Sequence, residues 1–191
     1  MNQAGAPIGS MLVFFDTEFS GLNSEPRLLS IGLAADSGDE LYIEFADGWV
    51  EENCSRWVLE HVVPMLGNGE RLTRLAAVDR ILSWLSSFAA SPILIGETDW
   101  DTALVIELLA AGGGNNDRFQ IKELEFSGKA QAEEFNEARQ HYFNSEHASP
   151  HHALVDARAF KYAWCRVFGA EMTSSRNSEN EYQAQGEKVQ N

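Results

Sequence analysis

A continuous apolar run that stops abruptly at two acids constrains the fold of this chain more than any other stretch. Residues 11–15 read Met-Leu-Val-Phe-Phe, and residues 16–18 read Asp-Thr-Glu. An uninterrupted run of large apolar residues is typical of a strand that is buried on both faces. Side chains two residues apart in an extended chain point to the same side, so Asp16 and Glu18 should face one way together. The sequence therefore predicts a buried strand that ends in a pair of carboxylates.

The segments after this strand predict a sheet interleaved with helices. Apolar stretches over 28–35 and 40–45, joined by a tight turn at 37–39, favour an antiparallel meander with the first strand. This order of elements is typical of an α/β domain in which a mixed five-stranded sheet is flanked by helices in three layers. The apolar spacing predicts the remaining elements as strands at 92–96 and 119–126, and helices at 57–66, 75–88, 100–111, 130–147 and 149–168.

Composition separates one folded domain from the two ends of the chain. The apolar periodicity extends over residues 11–169, which we expect to form a single domain. Residues 1–10 are mostly small, and we expect a flexible leader there. Residues 170–191 have too few apolar side chains to form a core, so a disordered polar tail is predicted.

The charge balance limits the classes of function open to the chain. There are 29 aspartate and glutamate residues against 14 lysine and arginine residues, a formal net charge of −15. Such a chain is poorly suited to coat duplex nucleic acid, because that kind of binding depends on basic residues against phosphates. Clustered carboxylates can instead recruit cations, which then meet a phosphate.

Other features of the sequence indicate a cytoplasmic protein without a membrane partner. No run of about 18 apolar residues is present, and the start of the sequence lacks the pattern of a secretory signal. Cys54 and Cys165 are far apart and do not form a disulfide framework.

A second acidic position follows the predicted strand at 92–96. At 100° per residue, Asp101 lies on the inward stripe of the next helix, whereas Asp99 points nearly the opposite way. The competing interpretation is a capping box between Thr98 and Asp101, because acids are favoured in the first turn of a helix. Both interpretations stay open on these residues alone.

A third acidic position lies in the last predicted helix. Asp156 falls within an apolar stripe, where a carboxylate is costly unless it has a partner, and a metal ion is a natural one. A salt bridge to Arg158 or Lys161 is the alternative, but both residues point away from this stripe. His151 and His152 precede the acid by five and four residues.

In order and spacing, the three positions resemble the DEDD exonucleases of the ribonuclease H-like fold, in the subgroup whose third motif carries a histidine (DEDDh). The stretch 16–19, Asp-Thr-Glu-Phe, is similar to the first motif, Asp101 to the second, and His151 with Asp156 to the third. The similarity covers about residues 11–168 and is greatest to small stand-alone bacterial and phage members. The second motif departs from the family, because the segment lacks a usual asparagine and is one residue short. Asp99 therefore stays an alternative to Asp101.

The resemblance implies a metal-dependent 3′→5′ exonuclease. Such an enzyme releases nucleoside monophosphates from the single-stranded 3′ end of DNA or RNA, using two divalent cations, Mg²⁺ or Mn²⁺. His151 would be the general base, since an imidazole can take a proton near neutral pH, and His152 is its rival. The implied metal ligands are Asp16, Glu18, Asp101 and Asp156.

The resemblance also implies contacts with substrate at Thr17, Phe19 and Leu22, although packing in the core is an equal alternative for the last two. We expect Trp57 and Trp100 to lie in the core. Several members of the family dimerise, so a homodimer is one expected assembly. Two other functions stay open: a catalytically silent nucleic-acid-binding or regulatory module on the same fold, and an endonuclease or other phosphohydrolase with the same metal centre.

Overall fold

The structure is a computed structural model that describes residues 11–111 and 118–186, with side chains described as far as Gly169. The expected leader over 1–10 and the last five residues of the expected tail lie outside the described residues. Six strands are present in the described part: β1 Met11–Phe19, β2 Leu28–Ala35, β3 Glu40–Phe45, β4 Glu70–Leu72, β5 Pro92–Gly96 and β6 Gln120–Glu123. The α-helices there are α1 Arg56–His61, α2 Arg74–Leu85, α3 Asp99–Ala111, α4 Lys129–Ser145 and α5 Ala153–Gly186.

The strands form one mixed sheet with β1 near its centre. Their order across the sheet is β4-β3-β2-β1-β5-β6. Strands β1, β2 and β3 pair antiparallel, as the predicted meander requires, and β5 and β6 extend the sheet parallel to β1. The predicted α/β class and mixed sheet flanked by helices are confirmed.

The predicted number of five strands is wrong, because the sheet has a sixth strand, β4. This strand is three residues long and mostly exposed, so it has no alternation of apolar and polar residues that could reveal it. It pairs parallel to β3. The loop that leads into it is held by Glu44, whose carboxylate accepts hydrogen bonds from the backbone N–H groups of Gly67, Asn68 and Gly69 at 2.7, 3.1 and 3.0 Å.

Strand β1 is buried on both faces, which explains its unbroken apolar run. Val13 and Phe15 belong to a core formed with α2 and α3 on one face of the sheet. Leu12 and Phe14 belong to a core formed with α4 and α5 on the other face. Each face of β1 therefore needs apolar side chains, and the two sets interleave along the strand.

The last helix differs from its predicted bounds at both ends. The predicted start at 149 is wrong, because α5 begins at Ala153. His151 has a φ of +73°, in the left-handed region, so the chain turns sharply before the helix begins. The helix then continues past Phe168 to Gly186, so helical backbone occupies most of the predicted disordered tail. This segment contains no proline, the residue that most strongly breaks a helix.

Two glycines let helices approach the sheet closely on opposite faces. A Cβ atom added at Gly32 would lie 2.3 Å from the backbone nitrogen of Leu154 and 2.4 Å from the carbonyl oxygen of Ala153. The first turn of α5 therefore rests directly on β2, next to Asp16, which is the β1 partner of Gly32. A Cβ atom added at Gly96 would lie 2.5 Å from Oγ1 of Thr102 in α3.

Within the part of the chain that the structure describes, no helix combines the length and the apolar character needed to cross a membrane.

Replacing Gly32 by alanine is expected to destabilise the protein strongly. The added methyl group would overlap backbone atoms of α5, which cannot move aside as a flexible side chain can. Overpacking of this kind costs about 3 kcal/mol or more at its upper range. The free energy of unfolding from urea denaturation measures the effect.

Gly169→Ala is the matched control, because a Cβ atom there meets nothing within 4 Å. It lies within α5 and should raise stability slightly, by up to about 1 kcal/mol from helix propensity. Equal stabilities for the two variants would contradict the close approach at Gly32.

Candidate metal centre

Three carboxylates from two elements converge at the end of β1. Asp16 and Glu18 come from β1, and Asp156 comes from the first turn of α5. One oxygen from each side chain lies within 4.8 Å of the other two. Glu18 and Asp156 are only 9% and 5% exposed. Among the described residues, this is the one group of three or more acidic, histidine or cysteine side chains with the spacing of a metal site.

The electrostatics of this group favour a bound cation. Burial, followed by the charges of neighbouring acids, raises the pKa of Asp16 well above its ordinary value. Burial and the charge of Asp156 raise the pKa of Glu18 to about 8. Burial also raises the pKa of Asp156. Carboxylates that repel one another in this way are stabilised by a shared divalent cation, for which oxygen ligands are the preferred donors.

Backbone groups hold Asp156 in place. The N–H groups of His151 and His152 both donate to its Oδ2, at 2.7 and 3.0 Å. These bonds leave Oδ1 available to the acidic group. The left-handed backbone of His151 permits both N–H groups to turn toward one carboxylate oxygen.

The salt bridges weighed from the sequence for Asp156 are not formed. Arg158 instead pairs with both carboxylate oxygens of Glu40, at 2.8 and 2.6 Å. Lys161 donates to the carbonyl oxygen of Ala35 at 2.6 Å. The charged neighbours of Asp156 are therefore the two acids of β1 and one arginine from another helix, described below.

Asp101 reaches the same end of β1 from the opposite face of the sheet. Its Oδ1 accepts from the backbone N–H and the hydroxyl of Thr17, at 3.1 and 2.6 Å, and its Oδ2 accepts from the hydroxyl of Thr98 at 2.5 Å. Thr17 alternates with Asp16 and Glu18, so it belongs to the α2–α3 face. Asp101 is 4% exposed and its charge raises the pKa of Asp16, but it lies outside the group of three.

These contacts bear on both interpretations of the second acidic position. Asp101 points inward, as its place on the helical stripe predicts, and its backbone N–H also donates a capping hydrogen bond to the hydroxyl oxygen of Thr98 at 3.2 Å. Asp99 is exposed, and its side chain caps the N–H of Trp100 at 2.9 Å. The structure therefore places Asp101, and not Asp99, near the carboxylate group. The hydroxyl of Thr17, an expected substrate contact, is buried against Asp101.

A second ion pair, which the sequence reasoning missed, adjoins the carboxylate group. Glu97 follows directly after β5 and pairs with Nη1 of Arg139 on α4. The Nη2 atom of Arg139 lies 3.6 Å from Oδ1 of Asp156. The charge of Glu97 contributes to the raised pKa of Asp16. One signal was present in the sequence, since Glu97 ends a buried strand just as Asp16 ends the apolar run of β1.

The two histidines have different surroundings. The ring of His151 is partly buried and meets Trp57 edge-on, with ring centroids 4.7 Å apart. The ring of His152 stacks on Tyr42 at 4.3 Å, and its buried Nδ1 has no hydrogen-bond partner. Burial lowers the pKa of His152. His152 is thus packed against the sheet, whereas His151 lies beside an exposed aromatic side chain.

Aromatic side chains near the centre are more exposed than the sequence suggested. The prediction that Trp57 and Trp100 lie in the core is wrong, because they are 48% and 39% exposed. Trp100 stacks on Phe19 with centroids 6.2 Å apart. Leu22 is 74% exposed, so the core alternative for this residue is excluded. Each tryptophan is the second residue of a helix, α1 or α3, and its position in the sequence did not reveal its exposure.

Comparison with known proteins assigns no family to the chain. A scan against models of protein families found none that matches, and a search of curated proteins found no match. The functional argument therefore rests on the geometry and chemistry of the carboxylate group.

The metal-free protein is expected to lose stability as the pH rises. Glu18 has a pKa of about 8 when folded and 4.5 as its ordinary value, so the folded state binds the proton more tightly. The stability from this group is present below pH 4.5 and is lost as the pH rises through about 8. Urea denaturation in EDTA should show wild type losing stability relative to Glu18→Gln over this interval.

Glu134→Gln is the control for this experiment, because Glu134 is exposed on α4. Its stability should follow that of wild type at every pH. Adding Mn²⁺ should stabilise wild type more at high pH than at low pH, since a metal binds the ionised carboxylates. Parallel curves for wild type and Glu18→Gln would contradict the raised pKa of Glu18.

Proposed function

We propose that the protein is a divalent-metal-dependent 3′→5′ exonuclease of the ribonuclease H-like fold. It would hydrolyse phosphodiester bonds from the 3′ end of a DNA or RNA strand and release nucleoside monophosphates. The observation that carries the proposal is the meeting of Asp16, Glu18 and Asp156 within 4.8 Å, with His151 hydrogen-bonded through its backbone to Asp156. A mixed sheet with helices on both faces agrees with the fold that the sequence resemblance implies.

The carboxylates suit Mg²⁺ or Mn²⁺, which prefer oxygen ligands. Asp16, Glu18 and Asp156 would hold one cation, and Asp16 with Asp101 would hold a second. Because both oxygens of Asp101 accept hydrogen bonds from Thr17 or Thr98, this residue would act through a water molecule or with one bond released. When bound, the two cations supply a nucleophilic water of lowered pKa and neutralise charge on the phosphate and the leaving oxygen.

His151 is the better placed of the two candidate bases. Its ring is not stacked into the sheet, and its backbone N–H fixes Asp156 at 2.7 Å, so the imidazole and the metal ligand are held by one turn of chain. The imidazole would take the proton of the attacking water. His152 instead packs its ring on Tyr42, which suits a structural role.

Exposed aromatic residues beside the centre suit an unpaired strand. Trp57 contacts His151, and Trp100 stacks on Phe19, which directly follows the acid pair. Such rings stack on nucleobases without reading their sequence. The net charge of −15 opposes wrapping of a duplex and agrees with a substrate that is engaged at its 3′ end.

A catalytically silent nucleic-acid-binding or regulatory module is the competing proposal. Two observations favour it. The guanidinium of Arg139 lies 3.6 Å from Asp156, so a cation of the protein itself already neutralises one proposed ligand. The oxygens of Asp101 are also already hydrogen-bonded. The experiments below distinguish the two proposals.

Asp16→Asn should abolish nuclease activity while the fold is retained. The substitution removes the carboxylate that both cations would share, and it also relieves repulsion within the group. Activity is measured as stepwise shortening of a 5′-labelled single strand in Mn²⁺, and the fold by circular dichroism and thermal unfolding. The control is Asp79→Asn, an exposed position on α2, which should leave activity unchanged.

The products also separate exonuclease from endonuclease activity. Linear strands with a 3′-hydroxyl should be degraded, whereas circular strands and strands blocked by a 3′-phosphate should resist. Cleavage of circles at the rate of linear strands would overturn the exonuclease assignment, and full activity of Asp16→Asn would overturn the site.

His151→Ala should lower kcat by about 10²- to 10⁴-fold, the usual effect of losing a general base. Its backbone N–H, and so the bond to Asp156, is retained. His152→Phe keeps an aromatic ring against Tyr42 and should retain most of the activity. Steady-state kinetics on the same labelled strand measure both. The reverse pattern would assign the base to His152.

A further inference from the structure

A groove beside the carboxylate group has no role in the chemistry described so far. It is formed by one face of α4 and by the segment that leads from α4 to His151, and its cavity volume is about 380 Å³. Its lining residues are Asn136, Arg139, Gln140, Phe143, Asn144, Ala148 and Pro150.

The groove lies next to the proposed metal centre. Arg139 lines it, and the Nη2 atom of the same residue lies 3.6 Å from Oδ1 of Asp156. Pro150 also lines the groove and directly precedes His151. A ligand that reaches from the carboxylate group along α4 therefore enters this groove.

The lining is unusual for a chain as acidic as this one. None of its seven residues is acidic, and Arg139 is the one that carries a charge. The hydrogen bond to Glu97 uses one of the five N–H donors of the guanidinium, and its buried Nε has no partner. The guanidinium also lies over the ring of Phe143, 5.9 Å from the centroid. These features suit one anionic group that is bound at Arg139.

Three exposed amides line the groove along α4, on both sides of the arginine. Asn136, Gln140 and Asn144 are spaced four residues apart, so they lie on one face of α4 at intervals of about 6 Å. Gln140 donates to the side-chain oxygen of Asn144 at 3.2 Å, which orients both amides. An amide both donates and accepts hydrogen bonds, as do the edges of nucleobases and the hydroxyls of sugars.

We propose that this groove is the subsite for the nucleotide on the 5′ side of the scissile phosphate. The 5′-phosphate of that nucleotide would lie on Arg139, and its base and sugar against the three amides and Phe143. The inference rests on the proposed function and adds to it the path of the strand. It gives the enzyme a preference for oligonucleotides over substrates that contain a single nucleotide.

The test compares two substrates. One is the p-nitrophenyl ester of thymidine 5′-monophosphate, which has one nucleotide and cannot fill the groove. The other is a single-stranded pentanucleotide with a 3′-hydroxyl. The triple variant Asn136→Ala/Gln140→Ala/Asn144→Ala should raise KM for the pentanucleotide roughly tenfold with little change in kcat, and should leave kcat/KM for the ester unchanged.

The matched control is Gln120→Ala. Gln120 is also an exposed amide, but it pairs with Ile93 on β5, at the end of the strand away from Gly96 and the carboxylate group. This variant should change the kinetic constants for neither substrate. If the triple variant does not fold, Gln140→Ala alone, in the middle of the groove, should still raise KM for the pentanucleotide and leave the ester unaffected.

A binding experiment separates failure of this inference from failure of the proposed function. Fluorescence anisotropy of the labelled pentanucleotide is measured on the Asp16→Asn protein, with and without the three amide substitutions. Weaker binding of the substituted protein supports the subsite, whether or not wild type cleaves either substrate. Equal binding, or an equal kinetic effect on pentanucleotide and ester, overturns the subsite. Turnover of neither substrate by wild type overturns the proposed function alone.

Discussion

The contact of the first turn of α5 with Gly32 is the constraint on which the centre depends. Because β2 has no side chain at this position, the helix backbone lies directly on the sheet, beside the β1 residue Asp16. Asp156 is thereby brought to the acids of β1 although 138 positions separate it from Glu18 in the sequence. Gly96 permits a similar approach of α3 on the other face, which brings Asp101 to the same end of β1. Two absent side chains thus let both helical layers converge on the end of one strand.

Much of this arrangement could be predicted from periodicity, because burial leaves a pattern in the sequence. The apolar run before Asp16, and the places of Asp101 and Asp156 on apolar stripes, each indicated an inward carboxylate, and all three are buried or partly buried near one another. Strand β4 left no such pattern, since backbone pairing and the bonds to Glu44 hold it. The start of α5 was predicted too early because a serine followed by a proline is typical of a helix start. Here the chain first turns at His151, and the helix begins at Ala153.

The pair Glu97 and Arg139 illustrates a different limit of sequence reasoning. Each residue alone is an ordinary charged side chain near the end of an element, and the two are 42 positions apart. Their role is visible only in the folded structure, where Arg139 contacts Asp156 as well as Glu97. A positive charge at this place partly offsets the repulsion among the acids, which helps the protein to fold around a group of buried carboxylates.

The bonds from the backbone of His151 and His152 to Asp156 make one small closed ring of the chain, in which the acid at one end holds the amides at the other. Within such a ring the backbone of His151 and the carboxylate of Asp156 cannot change their separation independently. Their spacing of five residues is therefore set by ring closure as much as by chemistry. A single inserted residue would leave every functional group present and yet open this ring, which holds the proposed base beside the proposed metal ligand.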